Sequence, residues 1–427
     1  MKTLLTSTAL AGGLIAISAS MTGTAAAATV SLFCSGSGLE YEMCSNAANA
    51  WAAETGNEVK INRMPASWDE ALTLYQQLLA ARSSDIDVMI VDVIWVGILK
   101  EHLLDLTTVL PQEEIAQHFP VITEAGTVDG KFVAIPWYTD AGLLFYRKDL
   151  LEKYGKPVPT TWAEFTETAR EIMEGERAEG NGDMWGYVWQ GNSYEGLTCD
   201  AIEWVASSGG GSIIDESGTI TINNPEAASA IELAASWIGT ISPRGVLEYD
   251  EESSRGVFEL GNAVFHRNWS YVWGTSQGEG GPIDGKVGVT ALPVGAEGQL
   301  SSGCMGTAHM GVSAYTAHPE EAASLLAHLT GAAEQKRRAI AGAYNPTVSA
   351  LYDDAEVLEA IPFLDDAMTA FDESVSRPSA VTGGDYNQVS TVFYTAVHSV
   401  LSGEESAEDA LARLATDLDR VKQRGGW

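Results

Sequence analysis

The chain has 427 residues and is strongly acidic, with 58 Asp and Glu against 24 Lys and Arg and a formal net charge of −34. This charge argues against nucleic acid or an anionic membrane as a partner, because both bind through basic surface. The length exceeds what one hydrophobic core usually supports, so we expect two domains.

The N-terminus is typical of a secretory signal. Lys2 is followed by an apolar stretch over residues 9–17 and by small residues that end at Ala28. The apolar stretch is too short to cross a bilayer as a helix. We therefore predict that residues 1–28 are a signal peptide and that the mature chain works in the periplasm.

The four cysteines are Cys34, Cys44, Cys199 and Cys304. In an oxidising compartment, cysteine pairing is expected rather than metal binding. Cys34 and Cys44 bracket a short segment and form the predicted disulfide, with two buried free thiols as the alternative. The sequence leaves the state of Cys199 and Cys304 undecided.

The first hundred residues alternate strands and helices, with strands at 29–33, 59–61 and 87–93 and a helix at 69–81. This order predicts a mostly parallel sheet with helices on both faces. Ligands of such sheets bind at the carboxyl ends of the strands, where Asp92 lies.

The remaining chain continues the same alternation without an internal repeat or a linker. Residues 160–164 indicate a helix N-terminus, with Thr as the cap and Glu three or four positions later. The pattern predicts a two-lobed α/β protein whose chain crosses between the lobes more than once. The other predicted elements are strands at 142–146 and 287–292 and helices at 148–154, 195–207, 225–238, 319–329 and 407–423.

Tryptophan is abundant, with 12 in the chain, and three segments place aromatic rings beside acidic and amide side chains. These segments are residues 136–140, 189–195 and 265–273. Flat rings suit the C–H faces of a sugar, and the polar groups suit its hydroxyls. The alternative is that each Trp fills a core, as large aromatics usually do. Taken together, the three segments favour a saccharide site.

No catalytic residues, metal site or cofactor site are predicted. The seven histidines lack ligand spacing, and no phosphate-binding glycine loop occurs. Residues 274–278 match a nucleophile-elbow pattern but run into a loop instead of a helix. A glycoside hydrolase needs two carboxylates beside the scissile bond, and 58 acidic residues leave that class open as the competing hypothesis.

Five motifs follow one another along nearly the whole mature chain, at residues 83–95, 140–151, 189–197, 267–274 and 377–378. In this order and spacing they resemble the family-1 solute-binding proteins of carbohydrate ABC importers. Among these, the chain is most similar to the trehalose and maltose (α-glucoside) binders.

The resemblance implies an α/β, two-lobed periplasmic binding protein fold with hinge crossovers and an interlobe ligand cleft. It implies an N-terminal lobe of residues 29–139 and 287–344, and a C-terminal lobe of residues 140–286 and 345–427. Such a protein binds a small-molecule saccharide as a monomer, without chemistry or cofactor. It delivers the sugar to ABC permease subunits in the inner membrane and has no nucleic-acid partner.

The resemblance also implies the residues that contact the sugar. Carboxylates and an arginine fork would bind hydroxyls, and aromatic rings would stack on pyranose faces. Glu40 competes with Glu42 for the first position. The residues implied are Glu42, Asp92, Tyr138, Asp140, Tyr194, Glu195, Trp269, Tyr271, Gly306, Thr307 and Arg377.

Two positions depart from the trehalose binders. The helix at 69–81 lacks an arginine, and Gly306–Ala308 stand where the relatives have Gly-Gly-Trp. Either Trp68 or Tyr344 replaces the missing ring, or the second sugar unit differs. We expect an α-glucoside disaccharide of the trehalose, maltose or sucrose type, with a glucosyl-glycerol-type compatible solute as the alternative.

Overall fold

The fold was derived from a computed structural model, which describes residues 27–36, 38–65, 67–278 and 280–427. The predicted signal peptide lies outside this range except for its last two residues. Within the described part, no helix combines the length and the apolar character needed to cross a membrane.

Short hydrophobic strands build the framework of the described chain. They are β1 (Thr29–Cys34), β2 (Glu58–Arg63), β3 (Val88–Asp92), β4 (Thr127–Val128), β5 (Lys131–Phe132), β6 (Ile135–Tyr138), β7 (Leu143–Arg147), β8 (Trp185–Val188), β9 (Ala263–Asn268), β10 (Val287–Thr290) and β11 (Ala308–Val312).

Helices cover the sheets and fill the connections between strands. They are α1 (Gly38–Thr55), α2 (Trp68–Ala80), α3 (Val96–Leu99), α4 (Gln112–Ile115), α5 (Pro120–Ala125), α6 (Lys148–Tyr154), α7 (Trp162–Ala178), α8 (Glu195–Ser207), α9 (Pro225–Trp237), α10 (Glu251–Glu259), α11 (Tyr271–Ser276), α12 (Pro319–Thr330), α13 (Ala332–Gly342), α14 (Ala355–Ala360), α15 (Leu364–Asp372), α16 (Ser379–Thr382), α17 (Tyr386–Leu401) and α18 (Ala407–Gly425).

The first lobe is built on a sheet with the strand order β2-β1-β3-β11-β6. β1 pairs in parallel with β2 and β3, whereas β11 is antiparallel to both β3 and β6. β3 is buried over its apolar residues and ends in the half-buried Asp92, as a central strand of a covered sheet requires. The alternation of strands and helices predicted for the first hundred residues is confirmed, as is the parallel pairing of their strands.

The second lobe is built on a sheet with the strand order β10-β7-β9-β8. β9 is buried along its whole length between its neighbours β7 and β8. Helix α7 begins with a capping box, in which Thr161 and Glu164 satisfy each other's backbone N–H groups. This confirms the helix start predicted at residues 160–164.

The predicted lobe boundary at residue 287 is corrected by the strand pairing. β10 pairs with β7 from Val287 opposite Arg147 to Thr290 opposite Leu144, so it belongs to the second sheet. The chain reaches the first sheet only at β11. A run of alternating apolar residues predicts a strand, but it does not specify which of two sheets the strand joins.

Short backbone pairings connect the two sheets where the chain crosses between them. Thr139 pairs with Asn345, Ala141 with Met305, and Cys304 with Val375. These crossings lie side by side at the base of the space between the lobes. Each one brings a different part of the sequence to that space.

The predicted disulfide is present between Cys34 and Cys44 and joins the end of β1 to α1. Cys199 and Cys304 are both buried.

Candidate functional site: the cleft between the lobes

A cavity of about 290 Å³ lies between the lobes. The first sheet, α1, α2, α8, α10, α11 and the crossing segments contribute to its walls. Ten of the eleven predicted site residues line it, namely Asp92, Tyr138, Asp140, Tyr194, Glu195, Trp269, Tyr271, Gly306, Thr307 and Arg377.

Glu42 is the predicted residue that does not line the cavity. Its side chain is exposed on α1, whereas Glu40 faces the cavity wall. Residues two positions apart in a helix point in different directions, so only one of the two carboxylates can face the cleft. The structure therefore assigns this place to Glu40, the competing residue.

Glu40 lies in an unusual electrostatic setting. Its Oε1 atom is buried and has no hydrogen-bond partner among the described residues. Burial raises the pKa of the Glu40 carboxyl, while the nearby Arg338 and hydrogen bonds from the Tyr138 and Ser35 hydroxyls oppose that shift. The buried Arg338 guanidinium lies 3.6 Å from the centre of the Trp137 ring and 4.5 Å from that of Tyr344. An acceptor without a partner is costly, so this oxygen is suited to receive a ligand hydroxyl.

Arg377 connects carboxylates from the two lobes. Its Nη2 donates to Asp92 Oδ1 at 3.0 Å, and its Nη1 donates to Glu195 Oε1 at 3.0 Å. Asp92 ends β3 of the first sheet, and Glu195 begins α8 in the second lobe. Burial raises the pKa of Glu195, while Arg377 and hydrogen bonds from Ser390 and Tyr386 favour its ionised form. The planar guanidinium thus orients both carboxylates at the cavity wall.

Asp140 is a buried cap for α11. Its Oδ2 accepts hydrogen bonds from Ser270 N at 3.0 Å and from Ser270 Oγ at 2.9 Å, while Oδ1 accepts from Ala141 N at 3.0 Å. Burial raises its pKa to about 7 against the influence of these hydrogen bonds. Because the carboxylate is already well satisfied, it positions the neighbouring residues Trp269 and Tyr271.

The Trp269 ring packs against a buried ionic cluster. The Arg267 guanidinium lies 4.2 Å from the centre of the Trp269 ring and is itself paired with Asp200 and Glu203. A Cβ at Gly306 would lie 2.6 Å from Trp269 Cζ3, so this position requires glycine for the backbone to approach the ring. The ring is therefore fixed before any ligand enters.

A second set of carboxylates in the cleft accepts hydrogen bonds from tyrosine hydroxyls. Tyr194 donates to Glu251 Oε2 at 2.7 Å, and Tyr271 donates to Glu252 Oε1 at 2.8 Å. The Tyr271 ring stacks nearly parallel to Tyr344, at 17° and 6.3 Å. Carboxylates and aromatic faces therefore alternate along the second-lobe wall.

Several residues that line the cavity were not predicted from the sequence. Asp250, Glu251 and Glu252 follow Tyr249, so they have the same mixture of aromatic and acidic side chains that identified the other segments. Trp68 and Tyr344, the two suggested replacements for the missing ring, both line the cavity, as does Ala308.

The tryptophans of two aromatic segments fill cores instead of facing the ligand space. Trp137 is 1% exposed and Trp189 is fully buried. Their neighbours Tyr138 and Tyr194 reach the cavity instead. The packing interpretation is therefore correct for these two rings.

The described residues contain no group of three or more His, Cys, Asp or Glu side chains arranged to hold a metal ion.

Two mixed α/β lobes, several crossings and a cleft of carboxylates and aromatic rings define the class of two-domain solute-binding proteins. Residues 42–336 match the family model of the bacterial extracellular solute-binding proteins, and the chain belongs to this family. It is 48% identical over 400 residues to a probable ABC transporter-binding protein of Deinococcus radiodurans, covering 93% of this chain and 95% of that protein.

Solved structures agree with this assignment. The chain resembles maltose-bound MalE3 of T. maritima at 37% identity and a TM-score of 0.87, over 92% of this chain and all of that one. It shares its fold with an ABC transporter solute-binding protein of Agrobacterium radiobacter K84 in complex with ribitol. That match has 23% identity and a TM-score of 0.80, over 92% and 98% of the two chains.

The chain is therefore an extracellular solute-binding protein by family. Its relatives and structural neighbours are solute-binding proteins, which sets aside the glycoside hydrolase hypothesis.

Proposed function

We propose that this protein binds an α-glucoside disaccharide of the trehalose, maltose or sucrose type in the interlobe cleft. It does so in the periplasm, as a monomer exported by its N-terminal signal, and delivers the sugar to the permease. The observation that carries the proposal is the cleft wall itself. Fixed aromatic rings alternate there with carboxylates and one arginine, and the maltose-bound MalE3 is a relative at 37% identity.

The size and polarity of the cavity suit a small saccharide. Its volume of about 290 Å³ is near the lower end of the ~300–1,000 Å³ that is usual for small-molecule sites. Trp269 and Tyr271 offer ring faces, and Glu40, Asp92 and Glu195 offer charged acceptors for hydroxyl groups. A neutral polyhydroxylated ligand satisfies these groups without bringing a further charge into an acidic space.

The second sugar unit would lie near Ala308. This residue is 2% exposed, lines the cavity and pairs with both Asp92 and Tyr138. Trp68 and Tyr344 supply the rings that the relatives obtain from a tryptophan at this position. A glucosyl-glycerol-type solute, with one pyranose ring, is the second candidate because it needs only one stacking platform.

Binding would close the lobes about the crossings near residues 139–142, 303–307 and 343–346. Small-angle scattering of the full mature chain should then show a smaller radius of gyration with saturating sugar than without it. An unchanged curve at a concentration shown to saturate binding would contradict closure.

The ligand is identified by a thermal-shift panel of trehalose, maltose, sucrose, glucosyl-glycerol and ribitol. A ligand at 100 times its dissociation constant adds about 2.7 kcal/mol to the free energy of unfolding. We expect at least one disaccharide to raise the melting temperature and ribitol not to. If only glucosyl-glycerol stabilises the protein, the ligand is the glucosyl-glycerol-type solute and not a disaccharide.

A further inference from the structure

The second pair of cysteines lies at the base of the cleft. Cys199 is on α8 and lines the cavity, while Cys304 precedes β11 and is fully buried. Their Sγ atoms are 2.8 Å apart. A movement of less than about 1 Å would bring the sulfurs to a bonding distance of about 2.05 Å.

Hydrogen bonds of the Cys304 backbone keep its sulfur beside that of Cys199. The Cys304 N–H donates to Glu203 Oε1 at 2.8 Å, and Glu203 lies one helical turn after Cys199 on α8. The Cys304 carbonyl accepts from Gly142 N at 3.2 Å, and Cys304 also pairs with Val375. Cys304 is thus anchored to the same helix that carries Cys199, so the pair remains together when the lobes move.

We propose that Cys199 and Cys304 form a second disulfide, which fastens the second-lobe wall of the cleft to the crossing segment. The bond would close the loop of residues 199–304. That loop carries Glu251, Glu252, Trp269 and Tyr271. Cross-links across long loops restrict the unfolded chain most, so the bond stabilises the folded protein relative to the unfolded chain.

The chemistry requires an oxidant of the disulfide class. One thiolate attacks a sulfur of the oxidant and forms a mixed disulfide, and the first oxidant thiol leaves. The second cysteine thiolate then attacks the protein sulfur of the mixed disulfide and releases the second oxidant thiol. Two cysteine thiols thereby lose two electrons and two protons, and one disulfide of the oxidant is reduced to two thiols.

The setting of the pair indicates when this exchange takes place. Burial raises the pKa of the Cys199 thiol, so little thiolate exists in the folded protein near neutral pH. Cys199 is only 2% exposed in the folded chain, so a bulky oxidant has little access to its thiol once the lobes have packed together. We therefore expect the bond to form during folding and to be slow to form afterwards.

The direct test uses the full mature chain, reduced and unfolded, and then refolded in a mixture of reduced and oxidised glutathione. The refolded protein is denatured without reductant in the presence of N-ethylmaleimide, and its intact mass and its peptides are measured. We expect no alkylated cysteine and one peptide pair that links Cys199 to Cys304. Alkylation of both residues beside an intact Cys34–Cys44 bond overturns the proposal, and so does glutathione retained on Cys199.

Two matched double variants separate this bond from the first one. Cys34→Ser with Cys44→Ser should retain one disulfide, located at residues 199 and 304. Cys199→Ser with Cys304→Ser should melt about 5 °C or more below the oxidised wild-type protein, because a 106-residue loop is no longer closed. An equal melting temperature would show that the loop is not cross-linked in the wild-type protein.

Discussion

Asp140 Oδ2 lies 3.0 Å from the backbone nitrogen of Ser270 and 2.9 Å from its Oγ, so one buried carboxylate caps the helix that follows Trp269. The contact joins residues 130 positions apart in the chain. It connects the first crossing between the lobes to the aromatic wall of the cleft, which makes Asp140 a positioning residue.

Replacing Asp140 with Asn should destabilise the protein by about 1–3 kcal/mol, because an amide cannot accept all three hydrogen bonds. Ser270→Ala should lower the free energy of unfolding by part of the same amount. The double variant should cost less than the sum of the two, since both changes remove one contact. Urea unfolding of the four proteins measures this, and strict additivity would contradict the shared contact.

The raised pKa of Asp140 also predicts a pH dependence. Its folded-state pKa of about 7 exceeds an ordinary aspartate value near 3.9, so the folded state binds the proton more tightly. The Asp140 contribution to stability should therefore increase as the pH falls from about 7 to about 4. The difference in unfolding free energy between wild type and Asp140→Asn should change in that direction. A difference that is constant over this range would exclude an elevated pKa.

Glu40 and Glu42 provide a matched pair of substitutions on one helix. Glu40→Gln should weaken sugar binding about tenfold, some 1.4 kcal/mol, because a charged acceptor binds hydroxyls more strongly than a neutral one. Glu42→Gln should change the affinity by less than about twofold, since its side chain is exposed outside the cavity. Calorimetric titration of both variants measures this. A larger loss of affinity in Glu42→Gln than in Glu40→Gln would show that Glu42, and not Glu40, contacts the sugar.

Ala308 tests the second sugar subsite. Ala308→Trp should change affinity or ligand preference at least about tenfold, because a large ring would enter a cavity of about 290 Å³. A loss of disaccharide affinity is expected, since Trp68 and Tyr344 already supply rings there. Ala314→Trp, at an exposed position just beyond β11, is the control and should bind normally. Equal affinities of both variants for all sugars would place the subsite elsewhere.

Much of the fold could be predicted from local patterns. The apolar run at 87–93 predicted β3, and the Thr and Glu residues at 160–164 predicted the start of α7. The assignment of β10 to a sheet required tertiary pairing that alternation does not encode. The proximity of Cys199 to Cys304 likewise arises only when α8 packs against a crossing segment 105 residues away.

The site could be predicted where a motif specified both the residue and its neighbours. Arg377 and Trp269 were found in this way, and both line the cavity. Glu42 lies outside the cavity and Glu40 lines it, because a short motif does not determine which face of α1 points inward. Glu251 and Glu252 were missed because they lie outside the motifs, and their contacts with Tyr194 and Tyr271 form only in the folded chain.

The most direct test of a sugar site in the interlobe cleft is calorimetric titration of Trp269→Ala beside the wild-type protein, with the disaccharide that stabilises the wild type most. Wild type should bind one sugar per chain. The variant should lose about 2–4 kcal/mol of binding free energy while remaining folded, because the fixed ring is a central contact of the cleft. An unchanged affinity in Trp269→Ala would contradict the account and place the sugar outside this cleft.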